Sequence, residues 1–196
     1  MVNVPDLHRR ACEEFGKKVD TVADDQWHMP TPCSDWDVRT LVNHIVAESL
    51  WTPPLMEGRT IEEVGDRFDG DVVGDDPRKA FHEAAPPAIE AISSDGAMSR
   101  TVHLSFGDTP ALEYAMQLFA DYLIHGWDLA RATGGEERLD PELVAACSEW
   151  FKSMENAYRA GGAIGPRPDL SAGADAQAEL LAMFGRTSSA PGGGAS

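Results

Sequence analysis

Cations, cysteines and long apolar runs are all scarce in this sequence, and each scarcity removes a class of function. Lysine and arginine together number 16 against 33 acidic residues in 196, a formal net charge of −17. So negative a surface repels phosphate backbones and anionic lipid headgroups, which argues against nucleic acid and against a membrane surface as partners. The three cysteines, Cys12, Cys33 and Cys147, are odd in number and widely spaced. They suit neither a disulfide framework nor zinc-finger spacing, and a reducing cytoplasm is the natural setting. No apolar run is long and uninterrupted enough to span a bilayer, and Met1 to Lys18 is too charged for a signal peptide. There is no internal repeat.

What the chain has instead is helical periodicity. The strongest case runs from Ala111 to about Ala132, with Thr109 placed to cap it, Pro110 at the first helical position and Gly134 and Gly135 past its end. Most of its circumference is apolar. Glu113, Gln117, Asp121 and His125 recur every fourth position, and Asp128 comes three later, so they form one narrow polar stripe. That stripe is either the solvent edge of a core helix or a row in which Asp121 and His125 face a metal. Residues four apart sit about 5–6 Å from each other at Cβ, close enough to share an ion. The pair needs a third ligand from elsewhere.

The remaining segments read as follows. Pro5 to Val22 is an amphipathic helix, with His8 at its surface or end. A second helix spans about Trp36 to Trp51, with Ser34 and Asp37 as an imperfect capping box, and stops before Pro53-Pro54. His44 lies beside its apolar face, and Glu48 follows one turn later. Residues 57–76 form a loop with a short helix near Ile61 to Val64. Asp76-Pro77 starts a third helix, which Pro86-Pro87 should kink or divide. Ser99 to Phe106 alternates with period two and reads as an extended segment or small ribbon. A helix from Asp140-Pro141 to about Ala160 and a short one from Ala174 to Phe184 follow, then a Ser/Gly/Ala-rich tail expected to be disordered. The expectation is an all-α four-helix bundle with a short extended insert and a short C-terminal helix.

Bundles build metal sites from side chains that project inward from facing helices. His44 on the second helix can therefore meet Asp121 and His125 on the long one. Two imidazoles and a carboxylate suit a divalent transition metal and leave positions open; zinc is the first choice, with nickel, iron and manganese as alternatives.

Thr31-Pro32-Cys33-Ser34-x-Trp36-x-Val38-Arg39-x-Leu41-x-x-His44, followed far downstream by Asp121-x-x-x-His125-x-Trp127-Asp128-Leu129-Ala130-x-Ala132-x-Gly134, resembles the mycothiol-dependent maleylpyruvate isomerase metal-binding domain. That group belongs to the DinB/YfiT-like superfamily of four-helix metalloenzymes. The resemblance covers roughly Leu7 to Arg186 and implies a DinB-like bundle domain over 1–186, with 187–196 as the tail. It further implies an actinobacterial source, a bound divalent metal at His44, Asp121 and His125, and mycothiol as cosubstrate. Asp121 stands where the isomerase has glutamate, and neither Arg167 nor Arg186 can be matched to the isomerase's C-terminal substrate-binding part. The implied activity is a metal-dependent thiol isomerase or S-transferase. Its partners would be a small-molecule thiol and an electrophile, and a homodimer is kept as a candidate assembly. Asp128 would orient a ligand or pair with Arg39, or else form an ordinary helix pair with Arg131. Cys33 is not expected to be the nucleophile, because no histidine is near it in sequence. A non-catalytic metal or small-ligand sensor on the same bundle is the alternative, and a metal-free structural protein a third reading.

Overall fold

A computed structural model describes residues 3–188; the expected tail lies outside the described residues from position 189 on. The chain divides into two compact units, residues 1–138 and 139–196. In the first, four long helices form a closed ring of neighbours: α1 (Val4–Thr21) packs on α5 (Ala111–Thr133), α5 on α2 (Val38–Met56), α2 on α4 (Pro77–Ser93), and α4 on α1. A one-turn helix α3 (Ile61–Val64) sits in the loop between α2 and α4. The interior is filled by Phe15, Leu41, Ile45, Phe81, Phe119 and Trp127, each under 2% exposed. Burying such side chains is worth roughly 1.5–3 kcal/mol each, which makes these faces the main source of stability. Gly16 lets α1 and α4 come together. A Cβ there would meet the Phe81 ring at 2.9 Å, so any larger residue would push the ring aside.

Local signals set most boundaries. Asn3, Asp37, Asp76 and, for α3, Thr60 cap helix N-termini through their side chains, and Gly134 ends α5 in the left-handed conformation at φ 70°. Three expectations are corrected. Helix α2 does not stop before Pro53-Pro54 but runs through both to Met56. Leu55 and Met56 are 2% and 1% exposed, and their burial offsets the cost of about 3 kcal/mol that an internal proline carries. Of the kink or division expected at Pro86-Pro87, the division does not occur: α4 runs unbroken through both, with their rings exposed and the flanking Ala85 and Ala88 buried. Asp37, not Ser34, caps α2, accepting from the Thr40 amide.

The period-two stretch is β1 (Thr101–Leu104), and its partner is β2 (Gly107–Pro110), antiparallel with Val102 opposite Thr109. Thr109 is thus a strand residue and caps nothing; Pro110 itself is the cap position of α5. An isolated parallel bridge from Thr60 to His103 ties this hairpin to the start of α3.

The second unit contains α6 (Pro141–Phe151), α7 (Glu155–Ala160) and α8 (Ala176–Met183), so the single helix expected to Ala160 is broken after Phe151. Phe151 stacks on Phe184 with ring centroids 4.0 Å apart. Arg167 is held by Glu155 and Glu179, an ion-pair group within this unit.

Candidate metal centre

Helices α2 and α5 face each other across the first unit, and that pairing decides where their polar residues go. Val38, Leu41, Val42, Ile45 and Val46 bury one side of α2, which leaves His44 at the boundary, its side chain 28% exposed. On α5 the four-residue spacing sets Asp121 and His125 one above the other on the same boundary. His44 Nε2 lies 3.5 Å from Asp121 Oδ2, and His125 Nε2 lies 4.0 Å from Asp121 Oδ1. The two imidazole rings are 5.2 Å apart, edge to face. One donor atom from each of the three residues lies within 4.8 Å of the others. The structure therefore brings all three sequence-predicted ligands together.

The donor set fits a divalent cation. Ligands about 2.0–2.2 Å from a tetrahedral zinc stand roughly 3.3–3.6 Å from each other, so side-chain shifts of a fraction of an ångström would close these donors on an ion. Three protein donors at a partly exposed boundary also leave room for a fourth, exogenous one. Burial opposes the charge on His44, but the hydrogen bond and charge of Asp121, with help from Glu48, more than compensate and hold its pKa above the ordinary value. Glu48, one turn further along α2, is pushed up by burial and then by the Asp121 charge, against the opposite pull of His44. The Asp121 carboxylate contributes to both shifts, and burial is the larger cause of the one on Glu48.

A second group meets the other edge of His125. Its Nδ1 is 3.1 Å from Asp128 Oδ2, and Asp128 is fully buried. The Cys33 thiol donates to the same Oδ2 at 3.2 Å and lies 3.7 Å from His125 Nδ1. These three also satisfy the distance criterion for an ion. One His125 ring can offer Nδ1 or Nε2 to an ion while the other nitrogen holds its proton. Cys33, Asp128 and Nδ1 are already hydrogen-bonded to one another, so they act as support, and Nε2 is left for the open side. Trp36, from the same loop as Cys33, covers both imidazoles, 5.0 Å from His44 and 5.7 Å from His125.

Cys33 was missed by sequence reasoning, since its histidine is 92 positions away. Asp128 Oδ2 stands against His125 Nδ1, the contact that its ligand-orienting reading calls for. Arg39 is turned instead to Asp71 at 2.7 Å and the Gly74 carbonyl, and Arg131 reaches Glu137. His8 is not a surface residue: it is 0% exposed.

Residues 8–130 match the family model described as the mycothiol maleylpyruvate isomerase N-terminal domain. Two uncharacterised proteins of Mycobacterium tuberculosis, from two strains, are each 35% identical over 141 residues, covering 70% of this chain and 71% of the relative. Among solved structures, mycothiol-dependent maleylpyruvate isomerase and a point mutant of it share the fold, with TM-scores of 0.58 and 0.57 and 17% and 16% identity. Each comparison covers 74% of this chain and 65% of the isomerase, so the chain spans slightly less than two thirds of that enzyme's length.

Proposed function

The chain belongs to the mycothiol maleylpyruvate isomerase N-terminal domain family, and on that premise we propose that it binds a divalent metal, zinc before nickel, iron or manganese, through His44, Asp121 and His125. We further propose that it is a mycothiol-dependent isomerase or S-transferase of a reducing cytoplasm. The observation that carries the reading is the convergence of two imidazoles and a carboxylate from α2 and α5, donor atoms within 4.8 Å of one another. A divalent ion there would take a small thiol in its open position and lower the thiol's pKa toward neutrality. The protein's own residues do the rest. Asp128 fixes the ring of His125 from behind, so that Nε2 faces the open side. Trp36 packs its ring against both imidazoles and limits their movement. Glu48, on the wall of the neighbouring space, would exchange a proton with the adduct, giving it as the thiolate adds to an activated double bond and taking it back as the thiol leaves. Loss of the thiol with the bond geometry changed completes an isomerisation. Displacement of a halide or opening of an epoxide completes a transfer.

Element analysis of the protein purified without a histidine tag should find close to one divalent ion per chain. Thiol consumption with mycothiol and a panel of activated alkenes, epoxides and aryl halides should then depend on that ion. An absence of bound metal would leave a structural bundle. Bound metal without turnover across the panel would favour the sensor reading.

A further inference from the structure

A cavity of about 310 Å³ opens beside Asp121, between α2, α5, the hairpin and the start of α3. Asp121 belongs both to the donor triad and to the cavity wall, which joins the two. The volume lies at the lower end for small-molecule sites and suits a single-ring compound. Trp51, Ile61, Leu104 and Phe106 supply apolar surface, and Gln117 and Ser105 supply hydrogen-bonding groups. Trp51 is braced edge to face against Phe68 at 5.6 Å. Phe106 stands at the hairpin tip with 73% of its surface exposed.

The charge of the wall is what selects among substrates. Glu48, Asp121 and the Tyr114 phenol are its ionisable side chains, and no lysine, arginine or histidine lines it among the described residues. Whether Glu48 carries its proton or not, the wall holds no positive group. A divalent ion at the triad would be matched by Asp121 and the thiolate. A doubly negative acid of the maleylpyruvate kind would then meet carboxyl groups with no counter-charge.

We propose that this cavity is the electrophile site of the thiol chemistry and that it selects uncharged, single-ring-sized substrates over carboxylates. The inference rests on the reading of the triad given above, but its test does not pass through turnover. Benzamide and benzoate have the same shape and differ by one charge. Each is titrated into the isotopically labelled full chain as purified, with the Trp51 indole and the amides of residues 104–106 and 117 as reporters. Benzamide should shift these signals at millimolar concentration, and benzoate should bind at least tenfold more weakly. Gln117→Arg, which puts a cation on the wall, should narrow or reverse that ratio without changing the shifts of the unliganded core. Benzoate binding as tightly as benzamide to the unaltered chain overturns the proposal, and so does an absence of shifts with either probe. Failure of the thiol reading would appear separately, as no bound metal or no turnover, with the probe preference intact.

Discussion

His8 on α1 and His125 on α5 are both enclosed by the bundle, at 0% and 8% exposure, and are treated in opposite ways. Both nitrogens of His125 face partners, Asp128 on one side and Asp121 on the other. Neither nitrogen of His8 has a hydrogen-bond partner among the described residues; its neighbour is the Tyr122 ring, edge to face at 5.3 Å. The Tyr122 hydroxyl is already spent on Ser49, which in turn donates to the Ile45 carbonyl. Burial alone therefore does not mark a functional histidine; what surrounds the ring decides. His8 is packed as a flat, neutral core group, and His125 is held at a chosen angle by Asp128 against its Nδ1, with Asp121 4.0 Å from its Nε2.

The largest expected effect breaks the comparison from the side of the site. Structural zinc in four-ligand sites is worth about 10–16 kcal/mol, so one ligand contributes roughly 3–4 kcal/mol. His125→Ala and, separately, His44→Ala should each weaken zinc binding by roughly 10²–10³-fold in competition with a chromophoric chelator. Thermal unfolding of the metal-free variants should stay cooperative. His8→Phe should leave metal affinity unchanged. A metal affinity that His125→Ala does not alter would remove the triad.

The next effect sharpens the comparison from the side of the core. Burial lowers the His8 pKa from 6.5 to about 4. The unfolded chain takes up this proton below pH 6.5, whereas the folded chain resists it until about pH 4, so stability falls as pH drops through that window. Between pH 7 and 4.5 the unaltered chain should lose about 2–3 kcal/mol more than His8→Phe, read from urea unfolding of both. Carboxylates titrate in both proteins and cancel in the difference. Parallel stability curves would show that His8 finds a proton acceptor in solution.

The same contrast shows what the sequence could and could not reveal. Asp121 and His125 were legible because a 3.6-residue period sets them on one face, and His44 because it borders an apolar stripe. That these stripes meet came from the family resemblance and the rule for bundle metal sites, not from spacing. His8 could have been found: it shares the i, i+4, i+7, i+11 row with Cys12, Phe15 and Val19, all buried on one face of α1. The partnership of Cys33 with His125 and Asp128 could not, since it depends on where the loop before α2 comes to rest. Strand β2 was missed because Gly107-Asp108-Thr109-Pro110 has little strand propensity. It is held by its register with β1 and by the His103–Asp108 pair at 2.7 Å.

Asp128 marks the finest difference between the two histidines, since it is the acceptor that His8 lacks. It lies fully buried 3.1 Å from His125 Nδ1 and takes the Cys33 thiol on the same oxygen. An acceptor behind a ligating imidazole fixes which nitrogen carries the proton and makes the other a better donor, and its loss commonly costs 10–100-fold in metal affinity. Asp128→Asn keeps the shape and an oxygen acceptor but not the charge, so its zinc affinity should fall about tenfold. Asp128→Ala should fall nearer a hundredfold, and Asp128→Glu should recover part of the loss. A purely structural role would instead lower the unfolding midpoint of all three variants while leaving the zinc titration of the folded protein unmoved. In that case the burial of His125 would owe nothing to the chemistry on its other face.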